Sequence, residues 1–386
     1  MSAAPTSARP PRILLAGSID DDHNRLLKLS RTYAAAGYQV RFVGMDRLGR
    51  RPRHCVVDGL PCEYITGGWG YSNWRLLIGY AVWVIKLAVY CLSVQADVVH
   101  AFELDSGLPV ALGTSFRRLP FVYDVQDNYD LRRAWPFGLK RLIRWLDSWV
   151  IGRAQSVIVP DEIRIVGPFA PHRDKITVIP NCPPDVPPPP ALPSRKGRLT
   201  VLAMGHLASQ RGVDLLLDAV QTLPDIHLLM AGRFPEPWLE AKALASPQVE
   251  FRGWLPWNEA VALGYEADVV FAFYDPSYEV NVLANAQKWF DAMMTRTPIL
   301  SNRELANAWW IEQEDIGYLC QYGDRDQLAS TLRRILENPR EAREKGGRGR
   351  RLYDQKYNWS AMEKRLLEMV GRNIVMDRET APVTGS

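Results

Sequence analysis

The chain has few cysteines and lacks the features of several protein classes. Five cysteines occur among 386 residues, and no two have the Cys-x-x-Cys spacing. An odd, irregular set argues against a disulfide scaffold and against a cysteine-rich zinc site. Residues 1–12 also lack the apolar core of a secretory signal peptide. A cytoplasmic protein with a flexible leader at 1–12 is therefore predicted.

A strong excess of charge of either sign is also absent. The sequence contains 47 Lys and Arg against 43 Asp and Glu, which gives a formal net charge of +4. This balance does not indicate nucleic acid, and no nucleic-acid partner is predicted. The hydrophobic fraction of 47% is that of a globular protein, and the length favours two domains.

The sequence has a single long hydrophobic run, at residues 76–94. Its length is close to the roughly 20 residues that cross a bilayer as a helix. Lys86 lies near the centre of the run, where a charge is costly in lipid. A buried or interfacial helix is therefore preferred, and a transmembrane helix stays as the alternative.

Short β-rich runs alternate with helical periods in both halves, which is typical of parallel sheets covered by helices on both faces. Strands are predicted at 12–17, 39–44, 97–101, 121–125, 156–160, 176–179, 199–204, 226–231, 249–252, 269–274 and 298–301. Helices are predicted at 24–36, 213–223, 259–265, 284–295, 325–337 and 360–372.

Proline interrupts this alternation at residues 183–193, where seven of the eleven residues are proline. Such a run suits a semi-rigid linker, with a surface loop inside one domain as the alternative. The predicted parts are an N-terminal domain, a linker, a C-terminal domain, a helix that packs back on the first domain, and a disordered tail. Their bounds are 1–186, 187–198, 199–359, about 360–376 and 377–386.

A candidate phosphate-binding segment follows the first predicted strand of the second half. Residues 205–214 read Gly-His-Leu-Ala-Ser-Gln-Arg-Gly-Val-Asp. Gly205 lets the backbone approach an anion closely, and the helix that starts after Gly212 adds N–H donors and partial positive charge. Arg211 can hold a diphosphate with two donors, although a free loop arginine is the alternative. Gly232, which follows the next predicted strand, is assigned to the same site.

A second candidate lies in the predicted helix at 284–295. Lys288 and Asp291 are three residues apart and therefore share a helix face. A carboxylate at such a position can accept both hydroxyl groups of a ribose. A solvent-facing pair is the alternative, because most charged helix residues face water.

The second half resembles glycosyltransferase family 4, whose fold is GT-B. That family has an arginine, four residues and a lysine after this strand, and the present sequence has His206 and Arg211 there. Residues 286–291, Ala-Gln-Lys-Trp-Phe-Asp, are similar to the family's Pro-Asn-Lys-x-x-Glu variant. The resemblance places Lys288 at the family's lysine and Asp291 at its ribose-binding acid.

One family position is changed in this region. Leu283 stands where the family has its first acid, so that contact with the donor is missing. The resemblance implies that the loop before the helix touches the donor sugar. Glu279, Asn281 and Asn285 in that loop are the candidates to replace the missing acid.

The first half resembles a subset of the same family. Residues 97–105, Asp-Val-Val-His-Ala-Phe-Glu-Leu-Asp, look like its His-Ala-x-Asp motif. Residues 121–129, Phe-Val-Tyr-Asp-Val-Gln-Asp-Asn-Tyr, look like Val-Tyr-Asp-Ala-His-Glu-x-Tyr, with Gln126 in place of the histidine. Residues 175–181, Lys-Ile-Thr-Val-Ile-Pro-Asn, are similar to its Val-Ile-Pro-Asn-Gly segment.

The resemblance implies an α/β protein of GT-B fold, with two Rossmann-like doubly wound domains facing a central cleft. It implies a retaining transferase that moves a sugar from a UDP- or GDP-sugar to a hydroxyl of a glycan, lipid-linked glycan or small molecule. No metal and no cofactor beyond this donor are expected. Arg211 and His206 are expected to stabilise the leaving diphosphate. The acceptor is expected near His100, Glu103 and Asp127, with a buried core role as the alternative for His100.

Two other functions fit the same sequence. One is a catalytically silent GT-B protein that binds a sugar nucleotide or a glycan. The other is a GT-B sugar-nucleotide epimerase, which would convert the donor without any acceptor.

A basic, aromatic run at residues 131–149 suggests a further partner. Its members include Arg132, Arg133, Trp135, Lys140, Arg141, Arg144, Trp145 and Trp149. Such a run suits an anionic membrane surface, and peripheral attachment to the inner face of the plasma membrane is predicted. An amphipathic helix that covers the sheet, with its tryptophans inward, is the alternative.

Overall fold

The computed structural model describes residues 9–19, 24–70, 75–133, 135–190 and 198–380, with side chains to residue 373. It divides into two compact units. The first contains the chain up to Ile179 and from Glu363 onward, and the second is Pro180–Met362. This division falls earlier in the chain than the predicted domain end at residue 186. The first eight residues of the predicted leader lie outside the described residues.

An eight-stranded sheet forms the centre of the first unit. Its strands are β1 Arg12–Gly17, β2 Gln39–Asp46, β3 His54–Val57, β4 Leu60–Gly67, β5 Val98–Phe102, β6 Phe121–Asp124, β7 Ser156–Val159 and β8 Ile176–Val178. Their order is β3-β4-β2-β1-β5-β6-β7-β8, and all neighbours are parallel except β3 and β4. The β3–β4 hairpin was not predicted. Its turn is formed by Asp58 and Gly59, both with positive φ.

Four helices follow strands of this sheet, namely α1 Asn24–Ala35, α2 Arg75–Ser93, α3 Glu103–Ser115 and α4 Phe137–Arg153. Trp83 of α2, Val110 of α3 and Val150 of α4 belong to one hydrophobic core. Gly113 lets α3 pack closely on α2, since a Cβ at that position would lie 2.3 Å from the carbonyl oxygen of Ala88. These three helices therefore cover one face of the sheet as a layer.

A six-stranded parallel sheet forms the centre of the second unit. Its strands are β9 Leu199–His206, β10 Ile226–Arg233, β11 Val249–Phe251, β12 Val269–Ala272, β13 Ile299–Asn302 and β14 Gly317–Cys320. Their order is β11-β10-β9-β12-β13-β14. The predicted class is confirmed, because both units are Rossmann-like α/β structures with largely parallel sheets.

In the part of the chain that the structure describes, eight α-helices accompany the second sheet. They are α5 Val213–Val220, α6 Pro237–Leu244, α7 Trp257–Ala262, α8 Glu279–Val282, α9 Gln287–Met294, α10 Trp309–Gln313, α11 Arg325–Glu337 and α12 Pro339–Gln355. The prediction of one helix at 284–295 was wrong at its start. The loop expected at 279–285 contains α8, and α9 begins only after Ala286, whose ψ of 115° is not helical.

The proline-rich segment belongs to the second unit as far as it is described. The Tyr353 hydroxyl donates to the carbonyl of Pro183 at 3.1 Å, and the Tyr265 hydroxyl donates to the carbonyl of Val186 at 2.6 Å. Residues 191–197 of the predicted linker lie outside the described residues.

The last helix, α13 Trp359–Thr380, belongs to the first unit from Glu363 onward. The Thr32 hydroxyl donates to Glu363 at 2.7 Å, and the Ser156 hydroxyl donates to Asn373 at 3.0 Å. Part of the tail predicted to be disordered is helical, because residues 377–380 continue α13. Residues 381–386 lie outside the described residues.

Each sheet has a point where the chain reverses its direction of winding. In the first unit β1 lies between β2 and β5, and in the second β9 lies between β10 and β12. Ligands of doubly wound folds bind outside the carboxyl ends of the strands at this point. Of the predicted site residues, Gly205, His206 and Gly232 lie at the ends of β9 and β10, Arg211 follows β9, and His100 lies within β5.

Candidate functional sites at the strand ends

Two glycines lie at the carboxyl ends of β9 and β10, so no side chain covers the backbone there. Gly205 has a φ of +87° and pairs in register with Gly232, whose φ is +150°. A Cβ on Gly232 would lie 1.9 Å from the carbonyl oxygen of Gly205, so no side chain fits there. The sequence therefore requires glycine at this edge for steric reasons, and the exposed Gly205 backbone can be approached by a ligand.

Two cations meet over one aromatic ring beside these glycines. The guanidinium carbon of Arg211 lies 4.1 Å from the centroid of the Tyr274 ring, and the Lys288 ammonium lies 5.7 Å from it. Arg211 comes from the short 3₁₀ turn before α5, whereas Lys288 comes from α9. The ring face attracts both cations and fixes them near each other. Sequence reasoning identified Arg211 and Lys288 but missed Tyr274.

The electrostatics of this group show an excess of positive charge. Burial and the like charge of Arg211 together lower the pKa of Lys288 to about 8, and the opposite charge of Asp291 acts against this shift. Burial, Arg211 and Lys288 together also lower the pKa of His206. Because the charges of Arg211 and Lys288 repel each other and disfavour protonation of His206, a bound anion would relieve the repulsion. His206, Arg211 and Lys288 are called the cationic cluster below.

Asn281 positions Arg211. Its side-chain oxygen accepts from Arg211 Nη1 at 2.9 Å, and its amide nitrogen donates to the Asp275 carbonyl at 2.9 Å. Asn281 is buried and contacts Arg211, and its predicted contact with the donor sugar stays a prediction. Its amide holds the guanidinium from the side of α8.

The other predicted donor residues lie around this group at different depths. Glu279 is exposed on α8, and Asn285 is half-buried between α8 and α9. Asp291 is only 3% exposed, so it lies beneath the surface of α9, within electrostatic range of Lys288. The backbone N–H of Ser209 donates to Glu236 at 3.1 Å, a contact that sequence reasoning missed and that holds the turn carrying Arg211.

A buried charged network occupies the switch point of the first unit. Arg25 donates from Nε and Nη2 to the two carboxylate oxygens of Asp124, at 2.9 and 3.0 Å. His100 Nε2 lies 3.0 Å from Asp124, and His100 Nδ1 lies 2.9 Å from the Tyr33 hydroxyl. All four residues are buried. Both ring nitrogens of His100 therefore have partners inside the unit, as in the core role that the sequence left open, and its contact with the acceptor stays a prediction.

The next layer outward is a cluster of acids and arginines around Glu103. Glu103 opens α3 with a φ of +62°, and its carboxylate accepts from the Gln126 backbone N–H at 3.2 Å and pairs with Arg132 at 2.6 Å. Asp127 pairs with Arg164 at 2.9 Å and remains partly exposed. Burial raises the pKa of Glu103 to about 8, because its loss of hydration outweighs the attraction of Arg132.

Several buried polar atoms of this cluster have no hydrogen-bond partner among the residues that the structure describes. They are Glu103 Oε2, Asn128 Oδ1, Arg132 Nε, and Arg164 Nε and Nη1. Most buried polar atoms in proteins are hydrogen-bonded, so a group of this size indicates a place that suits a polar ligand. Glu103, Asn128, Arg132 and Arg164 with Asp127 are called the Glu103 cluster below.

Comparisons with known proteins address both units. The model of the Glycosyl transferase 4-like domain matches residues 23–182, and that of Glycosyl transferases group 1 matches residues 198–338. Glycogen synthase of Mycobacterium tuberculosis is 26% identical over 372 residues, with 86% of each chain covered.

Solved structures establish the fold. Sucrose-phosphate synthase from Thermosynechococcus elongatus has a TM-score of 0.74 at 18% identity, with 95% of this chain and 100% of that chain covered. HepE of Anabaena, solved in complex with UDP, has a TM-score of 0.66 at 15% identity, with 94% and 100% covered.

Proposed function

The chain belongs to the family 4-like glycosyltransferases of GT-B fold, as its motifs predict, and we propose that it is a retaining, nucleotide-sugar-dependent transferase. The observation that carries this proposal is the cationic cluster beside the bare glycine backbone of the second unit. The cluster suits the diphosphate of a UDP- or GDP-sugar. The UDP complex of the structurally similar HepE supports this choice of ligand.

Each member of the cationic cluster has a chemical role in the proposal. Arg211 offers a planar set of donors to the two phosphates, and Lys288 adds a point charge. His206, with its lowered pKa, is neutral at pH 7 and donates an N–H to a phosphate oxygen. These groups stabilise the negative charge that develops as the diphosphate leaves. Asp291 is proposed to hold the ribose, and Glu279 and Asn285 to contact the sugar.

The acceptor is proposed to bind at the Glu103 cluster. A polyol presents several hydroxyl groups, and each can both donate and accept hydrogen bonds. The unpartnered carboxylate, amide and guanidinium atoms of the cluster offer both kinds of partner. The anomeric configuration is then retained by the mechanism that the family implies. In this mechanism the leaving phosphate takes the proton of the acceptor hydroxyl on the same face of the donor sugar. A protein base is not required in this mechanism.

Binding and turnover test the proposal in two steps. Isothermal titration with UDP and GDP is expected to show binding of one or both, and a donor panel is expected to release nucleotide only when an acceptor is present. Nuclear magnetic resonance of the product should show the anomeric configuration of the donor. Binding without turnover would favour the silent protein, and conversion of the donor without an acceptor would favour the epimerase. Failure of either nucleotide to bind would contradict the proposal.

The Glu103 cluster predicts a pH dependence. With a pKa of about 8, Glu103 is protonated at pH 7 and donates a hydrogen bond to the acceptor, and it loses this proton as the pH rises through 8. The kcat/KM for the acceptor should therefore fall about tenfold between pH 7 and pH 9, when it is measured at saturating sugar nucleotide so that the bound diphosphate keeps Lys288 protonated. A Glu103→Gln variant keeps a neutral donor, so its profile should stay flat over this range.

The control for this experiment is Glu162→Gln, which changes an exposed acid of the same unit that pairs with Arg173. Its pH profile should match that of the unsubstituted protein. If Glu103→Gln retained the alkaline fall, another group would be responsible and the role of Glu103 would be wrong.

A further inference from the structure

Helix α2 has an apolar face that the described residues of the first unit leave uncovered. Its buried side is formed by residues four apart, including Trp83 and Leu87. The other side exposes Leu77, Ile85 and Val89, at 73%, 64% and 59%. The most apolar 18-residue window of α2 has a mean hydropathy of 1.9, and only 22% of it is buried. By length and composition α2 could cross a membrane.

Contacts of α2 argue against a spanning position. The indole nitrogen of Trp83 donates to the Asp105 carbonyl at 3.0 Å, and Lys86 Nζ donates to the Ile65 carbonyl at 2.9 Å. Withdrawal of α2 into lipid would break these bonds and expose the core beneath the helix, which is unfavourable. The structure therefore fits a helix that lies flat, with one side in the core and one side outward.

The adjacent helices continue the outward apolar surface. α3 packs on α2, and α4 packs on α3. Leu112 of α3 and Phe116, which follows it, are exposed, as are Phe137, Leu142 and Trp145 of α4. The exposed faces of α2, α3 and α4, with residues 116–118, are called the α2–α4 surface below. Contiguous apolar surface of this kind marks interaction sites.

The exposed charges of the α2–α4 surface have one sign. They belong to Arg75 and Lys86 of α2, Arg117 and Arg118 after α3, and Arg141, Arg144 and Arg153 of α4. The acids within the three helices do not offset them at the surface, because Glu103 and Asp147 are buried and Asp105 is half-buried. Arg144 is paired with Asp130, so the remaining cations supply most of the unbalanced charge.

We propose that the α2–α4 surface docks the protein on an anionic lipid bilayer. Helix α2 lies parallel to the membrane, with Leu77, Ile85 and Val89 at the boundary between headgroups and acyl chains, while the basic side chains contact lipid phosphates. The charge complementarity favours anionic lipid over a protein partner. The run at 131–149 contributes only in part, since Trp135 stacks on Tyr129. The experiments that test docking measure lipid binding alone, so their outcome does not depend on the proposed transferase activity.

Flotation of the full chain with vesicles tests the apolar part of the contact. The protein should float with phosphatidylcholine vesicles that contain about 30% phosphatidylglycerol, and should float poorly with phosphatidylcholine alone. Ile85→Asp should weaken partitioning by about tenfold or more, because it places a charge at the inserted face. Val89→Asp provides a second variant of the same face. Leu244→Asp, at a residue of the second unit that is 59% exposed, is the matched control and should bind normally.

A second pair of variants tests the electrostatic part. Arg75→Gln with Arg141→Gln should weaken binding by about tenfold or more and reduce its salt sensitivity. Arg333→Gln with Arg340→Gln, which removes the same charge from exposed positions of the second unit, should have no effect.

Three results of these binding experiments would overturn the proposal, and a fourth would come from extraction of the bound protein. One is the absence of flotation with anionic vesicles, and another is equal flotation of Ile85→Asp and the unsubstituted protein. The third is self-association in sedimentation velocity that Ile85→Asp abolishes while vesicle binding is unchanged, since the apolar face would then belong to a dimer. Extraction of the bound protein by alkaline carbonate would support flat docking, whereas resistance to extraction would assign α2 as a spanning helix and contradict it.

Discussion

Replacement of Arg211 by alanine is expected to lower kcat/KM for the sugar nucleotide by about 10²- to 10³-fold, the usual cost of removing one donor that stabilises developing charge. The guanidinium is held by the Tyr274 ring at 4.1 Å and by Asn281 at 2.9 Å, so it is in place before the donor binds. Such preorganisation makes the loss larger than that of a flexible surface arginine. Steady-state kinetics with varied donor, together with titration of UDP, would measure it.

Two further variants separate charge from geometry at this position. Arg211→Lys keeps the charge but loses the planar pair of donors, and its activity should lie between those of Arg211→Ala and the unsubstituted enzyme. Asn281→Ala leaves the guanidinium without its partner, so a smaller loss of about tenfold is expected, since its role is positioning. Arg333→Ala, on the exposed side of α11, is the control. If folded Arg211→Ala bound UDP with unchanged affinity, the diphosphate site would have to lie elsewhere.

The strand ends of both units were largely predictable, because their signals are local. An apolar run closed by glycine predicted the bounds of β1 Arg12–Gly17 as the structure has them. The same pattern placed Gly205 and Gly232 at neighbouring strand ends. Their contact excludes a side chain at Gly232, whereas the φ of +87° disfavours any other residue at Gly205. Local sequence is enough where the backbone itself imposes the residue type.

The β3–β4 hairpin was missed although a signal existed. Asp58-Gly59 is a strong two-residue hairpin turn, because both residues adopt positive φ. Residues in β3 His54–Val57 are alternately exposed and partly buried. Because much of this edge strand faces solvent, its sequence gives only a weak strand pattern. The turn dipeptide was the more informative feature.

The break between α8 and α9 has no local signal. Residues 283–286, Leu-Ala-Asn-Ala, contain no glycine or proline and continue a helical pattern. The break depends on contacts distant in sequence, such as the 2.9 Å bond from Arg211 to Asn281 in α8 and the 2.7 Å bond from Asn181 to Gln287 in α9. Tertiary structure thus overrides helix propensity where the site is built.

His100, in the first unit, is a second case in which local sequence does not predict the contacts of a residue. The sequence left a core role and an acceptor role open for it. The choice depends on α1, which places Arg25 and Tyr33 against the network of Asp124 and His100. No pattern around residue 100 contains this information, because its partners Tyr33 and Asp124 are 67 and 24 residues away in the sequence.

Replacement of Arg25 by methionine is expected to reduce the free energy of unfolding by about 3–5 kcal/mol, because it leaves Asp124 buried without its main counterion. Both side chains are fully buried and share two charge-assisted hydrogen bonds. Arg31→Met is the matched control on the same helix. Arg31 pairs with Asp58 at the surface, where such a pair contributes only about 0–1 kcal/mol. Urea unfolding of both variants would measure the difference.

The free energy of unfolding at low pH gives a second test of the Arg25–Asp124 pair. Burial alone would raise the pKa of Asp124, but the charges and hydrogen bonds of Arg25 and His100 outweigh it and lower the pKa to about 2. A carboxyl with a depressed pKa stabilises the fold above its unfolded pKa of about 3.9, and this stabilisation is lost as the pH falls toward 2. In Arg25→Met the lowered pKa, and with it this part of the acid dependence, should largely disappear.

The double variant Arg25→Met with Asp124→Asn decides whether an uncompensated charge is the cause. Removing both partners leaves no buried charge, so the double variant should recover part of the stability that Arg25→Met loses. His100 keeps a hydrogen-bonding neighbour, because asparagine retains a side-chain oxygen. If the double variant were as unstable as the sum of the two single variants, the loss would come from packing of α1, and the ion pair would not explain why these residues are buried together.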